Sequence, residues 1–321
     1  MYISGIAYRH GDLRSVRQVA AAPAIYEQLV SSELGLGSYS VVPGDILELA
    51  AQSVGSSLET CGLSVSDIDA VIISSCTFTT EGNPWSRVDQ FCRDTKLTHA
   101  TPYSIGLGQC SSFHYALKCA SALVRSGECS NVVVVVADKA NERELFRVNE
   151  DPDFPFVTSD MAASCIVSRA DLGGFRLASK VFQNFDATLV SGVAAQQRVS
   201  RMVARMEELF RDFYRGVELE RESVTQFIGN NYSSRGIDLF EFLSGLPRSK
   251  IYCSNIVRLA HGFGADNLIN LKCYAEQSQL AQERVVLFGS GTYQWSVVLL
   301  ESSARAASLR SSAGQVQFPQ R

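Results

Sequence analysis

Histidine is scarce in this 321-residue chain: there are four, at positions 10, 99, 114 and 261. Any general base of the imidazole type is therefore sought in a short set. Lysine and arginine number 29 against 33 acidic residues, scattered without a block of like charge. That pattern offers no electrostatic footprint for nucleic acid or an anionic membrane surface. Long apolar runs are missing too; Val132 to Ala137 is strand-length and too short to cross a bilayer. The opening MYISGIAYRHGDLRS lacks the basic region, apolar stretch and small-residue cleavage site of a secretory signal. A soluble, cytoplasmic protein acting on a small or carrier-borne substrate is expected.

Nine cysteines occur, yet no CxxC pair. An odd, dispersed set argues against both a disulfide framework and a zinc site, so no metal is expected. Most of these thiols should pack as small hydrophobes, and the question is which one differs.

With 46% hydrophobic residues the chain can fill a large core. Residues 43–61 have helical spacing, and 67–76 form a β-branched run suited to a strand. A second helix is expected over 84–97, an extended stretch over 100–108, a helix from Cys110 to a stop at Gly127, and a doubly buried strand at 131–138. Met161 to Val167 and Gly174 to Phe182 read as strands of a turn-connected pair. After a charged helical section near 198–214, α/β alternation returns: a strand at Phe227–Ile228, a helix near 237–243, a strand at 250–254, a helix over 266–279, and closing strands at 284–288 and 293–301. Two α/β halves are implied.

Three segments could carry chemistry. Gly106-Leu107-Gly108-Gln109-Cys110-Ser111-Ser112 sets a thiol at a helix N-terminus, where amide N–H groups and the helix dipole favour thiolate and can receive an oxyanion. A structural cysteine is the alternative. Ala260-His261-Gly262-Phe263-Gly264-Ala265-Asp266 supplies a base and a carboxylate five residues apart, as a Cys-His-Asp triad needs. Alternatively Asp266 caps the helix that starts there. Phe288-Gly289-Ser290-Gly291-Thr292 would let backbone approach a ligand closely, or is simply a tight hairpin. His114 falls on the Cys110 helix at i+4 and reads as a packing or pocket residue. His10 and His99 sit in polar contexts of surface type.

In this order the three segments resemble ketoacyl-ACP synthase III and its relatives in the thiolase superfamily, over about Met1 to Ser302. The stretch GQCSSFHYALKCASALVRSGECSNVVVVVADK carries most of the likeness. Thr158 to Ala163 resembles the family's Gly-Asp-Gly-Ala-type turn, and FGSGTYQWSVVLLE its closing hairpin. The resemblance implies a thiolase fold of two pseudo-symmetric α/β halves layered α-β-α-β-α. Residues 1–170 would bear nucleophile Cys110, residues 171–302 would bear His261 and Asp266, and 303–321 would be a flexible tail. It also implies acyl-CoA or the phosphopantetheine of an acyl carrier protein as substrate, no permanently bound cofactor, a homodimer, and an oxyanion hole from the Cys110 and Ser290 amides. Condensing members use a His and an Asn to hold a malonyl thioester. Here Phe227 to Tyr232 contains no histidine, and His261 stands where that asparagine would fall. This is similar to the offshoot with a Cys-His-Asp triad, found among natural-product acyltransferases and starter-unit enzymes. Asn230, Asn231, Phe263, Gly289 and Gly291 join His114 as pocket candidates. Decarboxylative condensation and a non-catalytic partner subunit remain the competing readings.

Overall fold

The structure, a computed structural model, describes residues 1–20, 23–77, 84–140, 156–189, 195–278 and 282–305. Most of the proposed tail, 306–321, lies outside them. In chain order the strands are β1 (Tyr2–His10), β2 (Asp12–Ser15), β3 (Ser38–Val41), β4 (Ala70–Ser74), β5 (Thr101–Ile105), β6 (Asn131–Asp138), β7 (Met161–Ser168), β8 (Phe175–Leu177), β9 (Phe182–Phe185), β10 (Gln226–Ile228), β11 (Ile251–Tyr252), β12 (Arg284–Ser290) and β13 (Gln294–Ser302). The helices are α1 (Pro23–Val30), α2 (Ile46–Cys61), α3 (Pro84–Asp94), α4 (Ser112–Ser126), α5 (Ala195–Val217), α6 (Ser234–Ser244), α7 (Ile256–Leu259) and α8 (Ala265–Gln277).

The main sheet runs β11-β10-β12-β13-β8-β1-β7-β6-β4-β5, with β9 added on β13. Its two ends repeat one pattern. β4 pairs in parallel with β5 and β6, and β7 is antiparallel to both β6 and β1. Likewise β10 pairs in parallel with β11 and β12, and β13 is antiparallel to both β12 and β8. The halves meet where Tyr2 and Ile3 of β1 pair with Arg176 and Phe175 of β8. The expected β7–β8 pairing is not formed: β1 inserts between them, because Tyr2 faces Ser168 on one side and Arg176 on the other. A turn-connected pair was the economical reading of two short apolar runs, and an N-terminal strand overrides it.

Side-chain alternation assigns the layers. In β6, Val132, Val134 and Val136 face a central core, while Val133, Val135 and Ala137 face α2 through Leu47, Ala50, Val54 and Leu58. In β12, Val285 and Leu287 face the same central core, while Val286 and Phe288 meet Phe210 and Phe213 of α5 and Phe240 of α6. Both strands are thus buried on two faces, which explains their unbroken hydrophobic runs. The central core is filled by α4, through Phe113, Ala116, Leu117 and Ala120, and α8, through Ala265, Leu268, Ile269 and Leu271. The result is the α-β-α-β-α layering. Cys110 and His261 precede the two central helices, so the layering sets their side chains against one another.

No helix among the described residues is long and apolar enough to cross a membrane.

Candidate active site

Cys110 does not open α4 itself. Gln109–Ser111 form a single 3₁₀ turn, and α4 begins at Ser112. This tight turn brings the Gly108 backbone so near Ser112 that a Cβ at Gly108 would lie 2.4 Å from the Ser112 Cα. Gln109 takes a left-handed φ of 44°, and its Oε1 accepts the Thr292 N–H at 2.8 Å. The nucleophile turn and the closing hairpin are tied together by that bond.

The short helix α7 ends at Ala260, with φ 50° and ψ −151°, an unfavourable conformation for a residue bearing a Cβ. This bend turns the chain so that His261 runs beside the Thr158 segment. The His261 N–H donates to Val157 O at 2.9 Å, and the Ser159 N–H donates to His261 O at 2.8 Å. Strain on both sides of a site, at Gln109 and Ala260, persists only where surrounding bonds enforce it. Gly264 allows the two central helices to start in contact: a Cβ there would lie 2.3 Å from Ser112 Oγ.

These constraints align three side chains. Cys110 Sγ lies 3.2 Å from His261 Nε2, and His261 Nδ1 lies 2.6 Å from Asp266 Oδ2. Histidine and aspartate are buried, while Cys110 is partly exposed. Asp266 does not cap α8. Its Oδ1 turns back to accept the Gly262 N–H at 2.8 Å and Asn231 Nδ2 at 3.2 Å, and its Oδ2 also accepts the Asn231 N–H at 2.8 Å.

Asn230 bridges both sides of the site. Its Nδ2 donates to Cys110 O at 3.2 Å and to Phe263 O at 2.9 Å, and its Oδ1 accepts the Ser290 N–H at 3.0 Å. The Ser290 amide, expected as an oxyanion donor, is thus occupied by Asn230 in the resting arrangement. Gly289 packs beneath the nucleophile turn, where a Cβ would stand 3.0 Å from the Ser111 Cα, and Gly291 abuts the Gln109 side chain. Phe263 lies with its ring centroid 5.5 Å from that of His261. His114 is engaged with Asn267: its Nε2 pairs with Asn267 Oδ1 at 2.7 Å, and burial pushes its pKa down to about 4. Neutral His114 therefore donates from Nε2.

Sequence reasoning passes over three neighbours, of which Phe156 meets His261 edge-on with ring centroids 5.4 Å apart. Tyr232, in the quoted 227–232 segment, stacks on His261 at 4.4 Å between centroids, and its hydroxyl donates to Ser290 O at 2.5 Å. Cys76, counted among the packing cysteines, follows β4 and lies near enough to Cys110 that the two thiols shift one another's ionisation. Its loop is pinned by buried Asp138, whose Oδ1 accepts from Ser75 Oγ at 2.8 Å and from the Cys76 and Thr77 N–H groups at 2.6 and 3.0 Å. The available signal was position, since the C-terminal ends of parallel strands are where sites gather in open α/β sheets.

The electrostatics follow from these contacts. Interaction with the Cys76 thiol most strongly lowers the pKa of Cys110; burial opposes it, and the charge of His261 reinforces it. The thiol ends well below its ordinary range. Burial alone would depress His261, but the negative charges of Cys110 and Asp266 outweigh it and raise the imidazole. A thiolate–imidazolium pair is the resting form these shifts favour.

No group of three or more His, Cys, Asp or Glu side chains with metal-binding geometry occurs among the described residues.

Residues 107–184 match the family described as 3-oxoacyl-[acyl-carrier-protein] synthase III. A β-ketoacyl-[acyl-carrier-protein] synthase III of Aquifex aeolicus is 23% identical over 265 residues, covering 79% of this chain and 84% of that protein. A solved 3-oxoacyl-[acyl-carrier-protein] synthase III from Aquifex aeolicus superposes with TM-score 0.75 at 18% identity, covering 94% of this chain and 99% of the other. ChlB3, described as an acyltransferase, superposes with TM-score 0.81 at 16% identity, covering 95% and 98%. The layered halves and their central helices define a protein of the thiolase fold. Within that fold, the chain is similar to ketoacyl-ACP synthase III proteins, most clearly over residues 107–184.

Proposed function

We propose that this protein is an acyltransferase that moves an acyl group from a CoA or carrier-protein thioester, through a thioester on Cys110, to a hydroxyl, amine or thiol acceptor. The observation that carries this reading is the Cys110–His261–Asp266 line at 3.2 and 2.6 Å, with Asn230, not a histidine, beside it.

In the first half-reaction the Cys110 thiolate attacks the donor carbonyl carbon, and a C–S bond forms as negative charge moves to oxygen. The Cys110 N–H, in the turn leading into α4, and the Ser290 N–H are assigned as oxyanion donors. The latter exchanges Asn230 Oδ1 for the substrate oxygen. The tetrahedral species collapses, the original C–S bond breaks, and the proton on His261 Nε2 passes to the departing thiol. In the second half-reaction the now neutral imidazole takes the acceptor's proton, the acceptor attacks the acyl carbonyl, and the Cys110 thiolate leaves beside a renewed imidazolium. Asp266 holds Nδ1 protonated throughout, so that Nε2 is the atom that exchanges protons.

Condensing enzymes of the resembled family use a histidine in the segment that here reads Phe227 to Tyr232, which offers Asn230 and Asn231 but no histidine. An asparagine amide donates hydrogen bonds but does not accept a proton, which supports transfer over decarboxylative condensation. On this reading residues 1–170 supply the nucleophile and 171–302 the base and its orienter. An acyl carrier protein is the candidate macromolecular partner, and a homodimer the candidate assembly.

Intact-protein mass spectrometry tests the proposal after incubation with a panel of acyl-CoA and acyl-carrier thioesters. A mass gain mapped to Cys110, absent in Cys110→Ala and strongly slowed in His261→Ala, is the expected result. Carbon dioxide release from a malonyl donor would instead favour condensation. No adduct with any donor would favour a non-catalytic partner subunit.

A further inference from the structure

Behind Asp266 a line of buried amides leads away from the candidate site. Asn231 Nδ2 donates to Asp266 Oδ1 at 3.2 Å, Asn270 Nδ2 donates to Asn231 Oδ1 at 2.8 Å, and Asn255 Nδ2 donates to Asn270 Oδ1 at 2.9 Å. Arg258 Nη2 then donates to Asn255 Oδ1 at 3.2 Å. Asn231, Asn270 and Asn255 are 1%, 0% and 3% exposed, whereas Arg258 is exposed.

The direction of every bond is fixed by the two ends. A guanidinium only donates, so Asn255 must present its oxygen to Arg258 and its nitrogen to Asn270. The same constraint passes along the chain until Asn231 presents its nitrogen to a carboxylate, which only accepts. A second bond agrees: Asn270 Nδ2 also donates to the Gly229 carbonyl at 3.0 Å. All three amide dipoles consequently point their positive ends toward Asp266, and bonds aligned in one direction polarise one another. Burying three amides is unfavourable unless each is satisfied, and apolar side chains would fill the space without that demand.

We propose that Arg258, Asn255, Asn270 and Asn231 are positioning residues that form a relay orienting Asp266, so that an exposed arginine outside the site tunes how well His261 activates Cys110. The inference rests on the Cys-His-Asp reading above. No proton travels along the relay; it fixes the rotamer and field of the carboxylate, and through it the tautomer of His261. At its outer end Arg258 also faces Tyr8, whose hydroxyl lies 3.2 Å away, together with Cys273 and Tyr252. At its inner end the charged or titratable groups facing His261 are Cys110, Asp266 and Tyr232.

The test is the pH profile of Cys110 alkylation by iodoacetamide in the full chain, with adduct position read by peptide mass spectrometry. Asn270→Leu is expected to slow alkylation near neutral pH about tenfold, the scale typical of lost outer-sphere hydrogen bonds at metal sites, and to move the profile to higher pH. Arg258→Met should move it in the same direction by less, and Arg258→Gln, which keeps a donor, by less still. In an Asp266→Asn background, Asn270→Leu should add nothing, since the relay acts through the carboxylate. Profiles of Asn270→Leu and Arg258→Met that superimpose on the wild type, with His261→Ala and Asp266→Asn displaced, overturn the relay and leave the triad standing. Full additivity of Asn270→Leu with Asp266→Asn also overturns it. If His261→Ala and Asp266→Asn leave the profile unchanged, the triad reading fails instead. Should Asn270→Leu lose its thermal unfolding transition, Asn255→Leu and the exposed Arg258→Met decide the matter.

Discussion

The backbone N–H of Ser290 donates to Asn230 Oδ1 at 3.0 Å, while the same asparagine's Nδ2 donates to the carbonyls of Cys110 and Phe263. One side chain thereby fixes the spacing between the nucleophile turn and the closing hairpin. Asn230→Ala leaves those two carbonyls and the Ser290 amide without this partner, and we expect burst-phase acylation to slow about 10²-fold, the scale of a lost or misplaced oxyanion donor. Asn230→Asp should be worse. Its carboxylate still accepts from Ser290 but sets negative charge against two carbonyl oxygens and the Cys110 thiolate. Stopped-flow acylation of the two variants gives the order, and an Asp variant faster than the Ala variant would refute it.

The thiolate of Cys110 has a pH window set by its neighbours. Its pKa is lowered, so alkylation should be fast above that depressed value and fall away as pH drops through it. A free thiol, by contrast, loses reactivity below about pH 8.5. Cys76→Ala and His261→Ala each remove a group that favours the thiolate, and each should move the profile to higher pH. Cys76→Ser keeps a hydroxyl donor and should move it less than Cys76→Ala. Equal displacement by Ser and Ala at position 76 would show that the thiol acts by packing alone.

What could be read from the sequence was the local part. Residues 131–138 and 284–288 are apolar without alternation, which is how strands buried on both faces appear, and both fall within strands of the main sheet. The Cys110 and His261 segments stand out because glycines flank a reactive side chain just before a helix. The β1 pairing that separates β7 from β8 left no such trace, since strand neighbours are chosen by tertiary contact and not by period. Cys76 and Asn270 were equally silent. A cysteine after a strand and an asparagine in a helix carry no mark of the residue 34 or 39 positions away that they face across the core.

Asp266 carries two loads that mutagenesis can separate. Its carboxylate orients His261, and it also accepts from the Gly262 and Asn231 amides. Asp266→Asn retains the shape but brings an NH₂ group into a place that needs only acceptors, favouring the wrong imidazole tautomer. Acylation should fall on the order of 10³- to 10⁴-fold, as when a triad aspartate is amidated elsewhere. Asp266→Ala removes the acceptor altogether and leaves buried donors unpaired, so it should in addition lose about 4 kcal/mol of stability. Chemical denaturation alongside the acylation rates distinguishes them; equal stability of the two variants would contradict the second load.

His114 offers a test of burial that is independent of catalysis. Its pKa falls from 6.5 to about 4 because the folded protein excludes water around it, while the unfolded chain titrates normally. Above pH 6.5 both states are neutral and the residue has no pH-dependent effect. As pH falls from 6.5 toward 4 the unfolded state takes up a proton that the folded state refuses, so stability is lost across that window, by about 2 kcal/mol at pH 5. Asp138, pushed up to about 6 by burial, titrates in the same range with the opposite sign. It is common to the wild type and to His114→Gln, so it cancels in their difference. Glutamine preserves an N–H donor for Asn267 but has no proton to gain. Urea unfolding of both proteins at pH 7 and pH 5 should show the wild type losing more stability than the variant on acidification; equal losses would mean that water reaches the imidazole.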